Sequence, residues 1–190
     1  MMKNIFRLTL ALTLALAAPA LVAAPAAHRT LQAKKEKPAK KEKIDKTVMK
    51  NALKEITFIT EKKPNPAAKY YIYLQASSTC AKCNQEMPNV VKQYKEMAKH
   101  KVELIFVSHD PDAETAIAFM QKYKADFPCV LADSEDAKKL PAFESTQSTP
   151  WASMLNAGGK EIQGNIAGFI MQDWKGISET GAPVRNYKKG

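Results

Sequence analysis

Two cysteines, Cys80 and Cys83, stand three positions apart at the start of an amphipathic segment. If that segment is a helix, the two side chains lie on one face a single turn apart, where their sulfurs can form and break a disulfide. Cys80 would then lie at the helix N-terminus, where unpaired backbone N–H groups and the helix dipole lower the pKa of a thiol. Cys83 would lie deeper, which suits the thiol that resolves a mixed disulfide on Cys80.

Zinc binding and a static disulfide are two other uses of such a pair. Zinc requires four ligands, but the sequence has no second Cys-x-x-Cys, and His100 and His109 are isolated. A structural disulfide is common in exported proteins and stays open as the alternative. A pair placed between a strand and a helix favours redox exchange, which we expect to proceed without metal or bound cofactor.

The elements that must position this pair alternate between strands and helices. The predicted elements are strands at 70–74, 102–107 and 127–131, helices at 80–99, 112–124 and 165–177, and a hairpin of 151–155 with 160–162. This order predicts an α/β fold with a mostly parallel sheet covered by helices on both faces. Pro128 predicts an edge position for the short third strand, and residues 48–62 fit a helix or a strand equally well.

The segment from Cys80 to Pro88, Cys-Ala-Lys-Cys-Asn-Gln-Glu-Met-Pro, resembles the Cys-x-x-Cys-x-x-Glu-x-Pro motif of exported thioredoxin-like proteins of the TlpA and ResA type. The resemblance covers roughly residues 68–178. It implies a thioredoxin-like fold with a helix-plus-strand insertion at 112–131, since 67 positions separate Cys83 from Pro150. Three residues depart from the family pattern: Thr79 replaces a Trp, Lys82 replaces a frequent Pro, and Leu74 replaces the buried acid of thioredoxin.

The same resemblance implies roles for individual residues. Thr149 and Pro150 would form a cis-proline loop that faces the cysteines and, with Ala81 and Lys82, contacts the substrate. Glu86 would manage protons on Cys83, a solvated helix glutamate being the alternative. The implied activity is thiol-disulfide exchange, with reduction of protein disulfides as the favoured direction. Protein thiols and disulfides are the implied partners, and a membrane electron donor is a further candidate.

Two other thiol questions arise from the sequence. Peroxide reduction is disfavoured, because only Ser77 precedes Cys80 by three residues and no arginine is nearby. Cys129 is the third cysteine of a chain that is expected to be exported, and it is left over when Cys80 and Cys83 pair. An unpaired cysteine in such a protein suggests a disulfide between molecules or a reactive thiol. Its apolar strand context instead favours burial as a small hydrophobe, and we expect it to resist alkylation in the folded protein.

Residues 1–24 are typical of a secretory signal peptide. Lys3 and Arg7 precede an apolar run at 8–16, and small residues permit cleavage within 20–26. A membrane span is the competing interpretation, but the run falls short of the ~20 apolar residues that a bilayer requires, and Pro19 interrupts it. The sequence therefore predicts an extracytoplasmic protein, periplasmic or otherwise exported.

The net charge of +10 is concentrated before the predicted domain. Residues 1–24 contribute +2, and nine basic and three acidic residues within 28–50 contribute +6, which leaves +2 for residues 51–190. We therefore expect a basic low-complexity linker at 25–50 and a folded domain at 51–190. The linker fits a spacer or a segment that contacts anionic surfaces. It lacks aromatic residues that could stack on bases, so nucleic-acid binding is not expected.

Overall fold

Residues 44–172 are the part of the chain that the computed structural model describes. They contain α1 (Thr47–Ala52), β1 (Tyr70–Ala76), α2 (Ala81–Lys99), β2 (Val102–Ser108), α3 (Ala113–Lys122), β3 (Cys129–Leu131), α4 (Glu135–Lys138), β4 (Trp151–Asn156), β5 (Glu161–Gln163) and α5 (Ala167–Gln172). The predicted signal peptide, most of the basic linker and the tail after residue 172 lie outside the described residues. Within 44–172, no helix is both long and apolar enough to span a bilayer.

The five strands form one mixed sheet in the order β3-β2-β1-β4-β5. The pairs β1–β2 and β2–β3 are parallel, whereas β1–β4 and β4–β5 are antiparallel. The expected parallel arrangement therefore holds for half of the sheet, and the predicted hairpin supplies the antiparallel half. The short strand β3 lies at the edge, as Pro128 predicts.

Side chains that alternate along the central strand β1 divide the core into two layers. Ile72 and Leu74 face one layer, which α2, α3 and α5 cover, and Tyr71 and Tyr73 face the other, which α1 and α4 cover. Both faces of β1 are therefore buried, which explains its continuous run of large apolar and aromatic residues.

Residues 48–52 of the ambiguous segment 48–62 are helical and residues 53–62 form neither helix nor strand, and this helix moves the start of the domain. Met49 is fully buried and Leu53 is nearly so, because they lie one turn apart on the face that packs under the sheet. The folded domain therefore includes Thr47–Ala52, which begins inside the segment assigned to the linker. Lysines at 46 and 50 made this stretch look like tail, although Met49 between them is part of the core.

One helix starts later than predicted and another was not predicted, and both differences have local reasons. Asn165 adopts a positive φ of 53°, so the predicted helix at 165–177 begins only at Ala167. Ile166 N donates to Ala152 O, which ties this start to β4. Helix α4 was not predicted, because its four residues are too few to show periodicity; its start is fixed by Ser134, whose hydroxyl accepts from Ala137 N at 3.1 Å.

Candidate active site

Cys80 and Cys83 form a disulfide at the N-terminus of α2. Cys80 is the N-cap with an extended backbone, φ −77° and ψ 112°, and its Sγ accepts from Cys83 N at 3.1 Å. Their Cα atoms are 5.2 Å apart. Cys83 is fully buried, whereas Cys80 is partly exposed. The strand, cysteine pair and helix follow one another as the sequence predicts, and the outer sulfur is the accessible one.

The loop before β4 lies directly against the outer cysteine. The Thr149–Pro150 peptide bond is cis, and Thr149 O lies 3.7 Å from Cys80 Sγ. The approach follows from the sheet, because Trp151, the first residue of β4, pairs with Gln75 near the end of β1. The predicted cis bond is confirmed, and the predicted contact residues Thr149 and Pro150 are at the cysteine pair.

The other predicted site residues lie on the first turns of α2. Ala81 and Lys82 are exposed beside the disulfide. Lys82 Nζ lies 2.6 Å from Glu86 Oε1, and only 17% of the Glu86 side chain is exposed. The carboxylate of Glu86 therefore pairs with Lys82 rather than with Cys83, and its exchange of protons with that thiol stays a prediction.

Asp110, which the sequence reasoning missed, holds the loop that precedes Cys80. Its Oδ1 accepts from Ser77 Oγ at 3.0 Å, Ser78 N at 2.8 Å and Ser78 Oγ at 2.7 Å, and its Oδ2 accepts from Ser108 Oγ at 2.8 Å. Burial acts to raise the pKa of Asp110, but the hydrogen bonds from these serines outweigh it and hold the pKa below the usual value. The sequence signal that could have identified Asp110 was the run of polar residues at the end of β2, the strand next to β1.

Asn84, also missed, ties the same loop to the inserted helix α3. Its Nδ2 donates to Ser78 O at 2.6 Å and to Cys80 O at 3.1 Å. Its Oδ1 accepts from Tyr123 Oη at 2.8 Å and from Lys122 Nζ at 3.0 Å. The amide thus spans the cysteine loop and the C-terminal end of α3, a contact between distant segments that sequence spacing alone does not reveal.

Gln75 is a third residue that the sequence reasoning missed, and it anchors the cis-proline loop. Its buried Nε2 donates to Glu144 O at 2.8 Å, while its Oε1 accepts from Thr146 N at 3.0 Å and lies 2.9 Å from His109 Nε2. Burial lowers the pKa of His109, so this imidazole is neutral near pH 7 and donates through Nε2. A polar residue inside the apolar strand β1 was the only sequence signal.

Cys129 is a free, fully buried thiol at the start of β3, as predicted. Burial raises the pKa of this thiol, and the nearby charge of Asp110 raises it further. Its backbone N–H donates to Thr60 Oγ1 at 3.0 Å. Among residues 44–172, no three His, Cys, Asp or Glu side chains are grouped so that they could hold a metal ion.

Comparisons with known proteins bear on the whole domain. The AhpC/TSA family model matches residues 41–154. The thiol-disulfide oxidoreductase ResA of Bacillus subtilis (strain 168) is 26% identical over 105 residues, which are 54% of this chain and 57% of that protein, so the chain matches little more than half of this relative.

Solved structures of low sequence identity bear on the fold. Tryparedoxin II from C. fasciculata matches 74% of this chain and 99% of its own, with 19% identity and a TM-score of 0.55. StoA from Bacillus subtilis matches 62% of this chain and 93% of its own, with 21% identity and a TM-score of 0.47. Because the family model covers well over half of the sequence, including the cysteine pair and the cis-proline loop, the chain belongs to the AhpC/TSA family and has a thioredoxin-like fold.

Proposed function

We propose that this chain is a thiol-disulfide oxidoreductase that acts on proteins outside the cytoplasm through a mixed disulfide on Cys80. The observation that carries the proposal is the disulfide itself: a partly exposed Cys80 at the N-cap of α2, bonded to a fully buried Cys83 and lying beside Thr149 O. A purely structural bridge does not require one accessible sulfur at a helix N-terminus next to an open loop.

Each step of the exchange has an assigned sulfur. The Cys80 thiolate attacks a substrate disulfide, the substrate S–S bond breaks, and the first substrate sulfur leaves and takes up a proton. Cys83, once deprotonated, attacks Cys80 Sγ, so the second substrate thiol leaves and the intramolecular disulfide forms. Two electrons thereby pass from the dithiol to the substrate. Cys83 N, 3.1 Å from Cys80 Sγ, is placed to stabilise the thiolate that begins the sequence.

Substrate would bind across Cys80 between the helix N-terminus and the cis-proline loop. The backbone at Thr149 and Pro150 precedes a strand, so it is suited to pair with an extended substrate segment. Ala81 and Lys82, the first two residues of α2 after Cys80, are exposed. Since Lys82 is paired with Glu86, we expect substrate recognition to rely on backbone and apolar contacts more than on charge.

The proposal also includes the direction of electron flow and the cellular compartment. Reduction of substrate disulfides is favoured by the resemblance of the Cys80–Pro88 segment to reductases of the TlpA and ResA type, and it requires an electron donor that regenerates the dithiol. A donor in the membrane fits a protein that leaves the cytoplasm. Export is supported by the basic, apolar and small-residue order of residues 1–24.

Peroxide reduction, the other chemistry that a cysteine in this setting invites, is disfavoured by the environment of Cys80. Ser77 Oγ donates to Asp110 and lies 2.9 Å from Thr79 Oγ1, so its hydrogen is not directed at the sulfur. The sequence has no arginine between residues 30 and 184 that could bind a peroxide oxygen. Among residues 44–172, neither an arginine nor the Ser77 hydroxyl is therefore available at Cys80 to polarise an O–O bond.

A redox titration of the purified protein against glutathione tests the proposal. We expect a potential between about −270 and −120 mV, the range of catalytic Cys-x-x-Cys proteins. A potential below about −300 mV, as inert structural bridges have, would contradict exchange and favour a binding module with a static disulfide. Turnover is checked in parallel by the reduction of insulin with dithiothreitol as the electron source.

A further inference from the structure

Asp110 is a buried carboxylate that neither step of the proposed exchange uses. It is 6% exposed, and all four of its side-chain hydrogen bonds come from serines next to the cysteine site. Ser77 and Ser78 belong to the loop that leads into Cys80, while Ser108 ends β2. The carboxylate thus joins the ends of the two central parallel strands at the point where Cys80 emerges.

The direction of these hydrogen bonds is fixed by chemistry. An ionised carboxylate only accepts, so the hydroxyls of Ser77 and Ser78 must both donate to it. Ser77 Oγ is then left to accept, and it receives Thr79 N at 3.2 Å and Thr79 Oγ1 at 2.9 Å. Cys80 N in turn donates to Ser77 O at 3.2 Å. A chain of oriented bonds therefore runs from the carboxylate to the residue that carries the outer sulfur.

The charge of Asp110 has no cationic partner among the described residues. The Asp110 pKa is held low, so the group is ionised at neutral pH, and its charge already raises the pKa of the buried Cys129 thiol. Lys82 pairs with Glu86, and burial lowers the pKa of His109 although Asp133 and Asp110 act to raise it. Asp133, the further acidic group beside His109, is exposed to solvent. On the remaining elements, Lys122 binds Asn84 and Glu144 is exposed.

We propose that Asp110 is a positioning residue that orients Cys80 through the serine loop and whose unpaired charge disfavours the Cys80 thiolate, making the dithiol a stronger reductant. This inference rests on the proposed thiol-disulfide exchange and deepens it by giving the direction of electron flow a structural cause. Oxidation of the dithiol to the disulfide passes two electrons to the substrate and removes the thiolate. Anything that destabilises the thiolate therefore favours oxidation of this protein and reduction of its partner.

The test compares Asp110→Asn with Asp112→Asn, a matched control. Asn at 110 keeps the shape and one acceptor oxygen but removes the charge. Asp112 is exposed, and its Oδ1 caps α3 by accepting from Thr115 N at 2.7 Å, a role that Asn also fills. Both variants are reduced, and the alkylation rate of Cys80 is followed against pH by mass spectrometry of its peptide. The equilibrium with glutathione is then measured at pH 7.

For Asp110→Asn we expect the thiolate-to-thiol ratio of Cys80 at a given pH to rise about threefold to tenfold. The equilibrium constant with glutathione should move toward the dithiol by a similar factor, which at tenfold is about 30 mV less negative. Asp112→Asn should match the wild type. An Asp110→Asn protein that unfolds more easily but keeps the wild-type Cys80 titration and potential would overturn the inference and leave Asp110 a structural residue.

Ser78→Ala provides a second test with the opposite sign. It removes one donor from Asp110 while the backbone bond from Ser78 N remains, so the carboxylate charge is less compensated. We expect the thiolate ratio of Cys80 to fall, about twofold or more. A rise, or no change, would contradict the charge argument even if Asp110→Asn fails to fold. Failure of the proposed function is separate, because it would show as a wild-type potential in the range of inert structural bridges, whatever these variants do.

Discussion

Two buried carboxylates lie near opposite ends of β2, and their surroundings differ. Asp110, just after the end of the strand, accepts four hydrogen bonds, and its pKa is lowered. Glu103, near the start, accepts one from Asn65 N and one from Tyr94 Oη, both at 2.8 Å. Burial therefore raises the pKa of Glu103 by more than those bonds lower it. The balance between desolvation and the hydrogen bonds that each carboxylate accepts decides the direction of the pKa shift.

The difference divides the domain into two ends. At the redox end, defined by Gln75, Cys80 and Asp110, buried polar groups hold loops that surround an accessible sulfur. At the far end, defined by Asn65, Tyr94 and Glu103, the buried Glu103 carboxylate on β2 joins the loop at Asn65 to α2, near the end of α2 that is opposite to Cys80. Substitutions at the two ends should therefore have similar costs in stability and different costs in exchange.

The largest expected effect is at the cysteine pair itself. Cys83→Ser removes the release step, so this variant should accumulate mixed disulfides with protein partners in cells. Cys80→Ser should trap at least about tenfold less, because the remaining thiol is fully buried. The readout is the set of higher bands on a gel without reductant that collapse to the monomer with it.

Cys129→Ser is the control for trapping, since it removes a thiol that lies inside the core. It should neither trap partners nor impair exchange. Equal trapping by Cys80→Ser and Cys83→Ser would show that the two roles are assigned wrongly. Mass spectrometry of the trapped bands would also identify the substrate and any membrane electron donor.

The second expected effect concerns the contrast between an accessible and a buried thiol. Cys129 should react with iodoacetamide at least about a hundredfold more slowly than Cys80 in the reduced, folded protein, because it is buried and its pKa is raised. In denaturant both should react alike. The measurement is the time course of labelling for each peptide, and fast labelling of Cys129 in the folded state would refute its assignment to the core.

The third effect separates the two ends directly. Gln75→Ala and Glu103→Ala each remove hydrogen bonds from partly buried partners, so each should cost about 1–3 kcal/mol of stability in urea unfolding. Only Gln75→Ala should also slow the reduction of insulin, by about tenfold, because it frees the loop before Thr149 and Pro150. Equal losses of exchange in both variants would abolish the distinction between the ends.

The smallest effect is in the pH dependence of stability. The pKa of Glu103 is raised in the folded state, so the folded protein holds this proton more tightly than the unfolded chain does. Glu103 therefore contributes stability below pH 4.5, its usual pKa, and this contribution is lost as the pH rises toward the raised pKa of the folded state. Asp110 acts in the opposite sense: its contribution is present above the usual value of 3.8 and is lost as pH falls toward its lowered pKa.

Urea unfolding at a series of pH values measures both contributions. Glu103→Gln should flatten the decline above pH 4.5, because an amide does not titrate and can accept from Asn65 N while donating to Tyr94 Oη. Asp110→Asn should leave that decline in place and reduce the loss of stability below pH 3.8, where Asp45, Asp112 and Asp136 also have lowered pKa values. A Glu103→Gln profile parallel to the wild type above pH 4.5 would show that this carboxyl is not perturbed as its burial implies.

Local patterns in the sequence predicted much of the fold and identified the cysteine pair. Continuous runs of β-branched, aliphatic and aromatic residues mark β1 and β2, which are buried on both faces, and spacings of three and four mark α2 and α3, which each bury one face. The spacing of Cys80 and Cys83 at a helix start likewise fixes their separation and their difference in depth. These features depend on neighbours along the chain, so the sequence alone predicts them.

Contacts between distant segments were decided only by the tertiary structure. Gln75, Asn84 and Asp110 look ordinary in the sequence, yet each bonds groups far along the chain at the cysteine site. The burial of Met49 in a lysine-rich stretch also depends on how elements pack. A buried polar group must find a partner wherever the fold brings one, and its position along the chain does not reveal which.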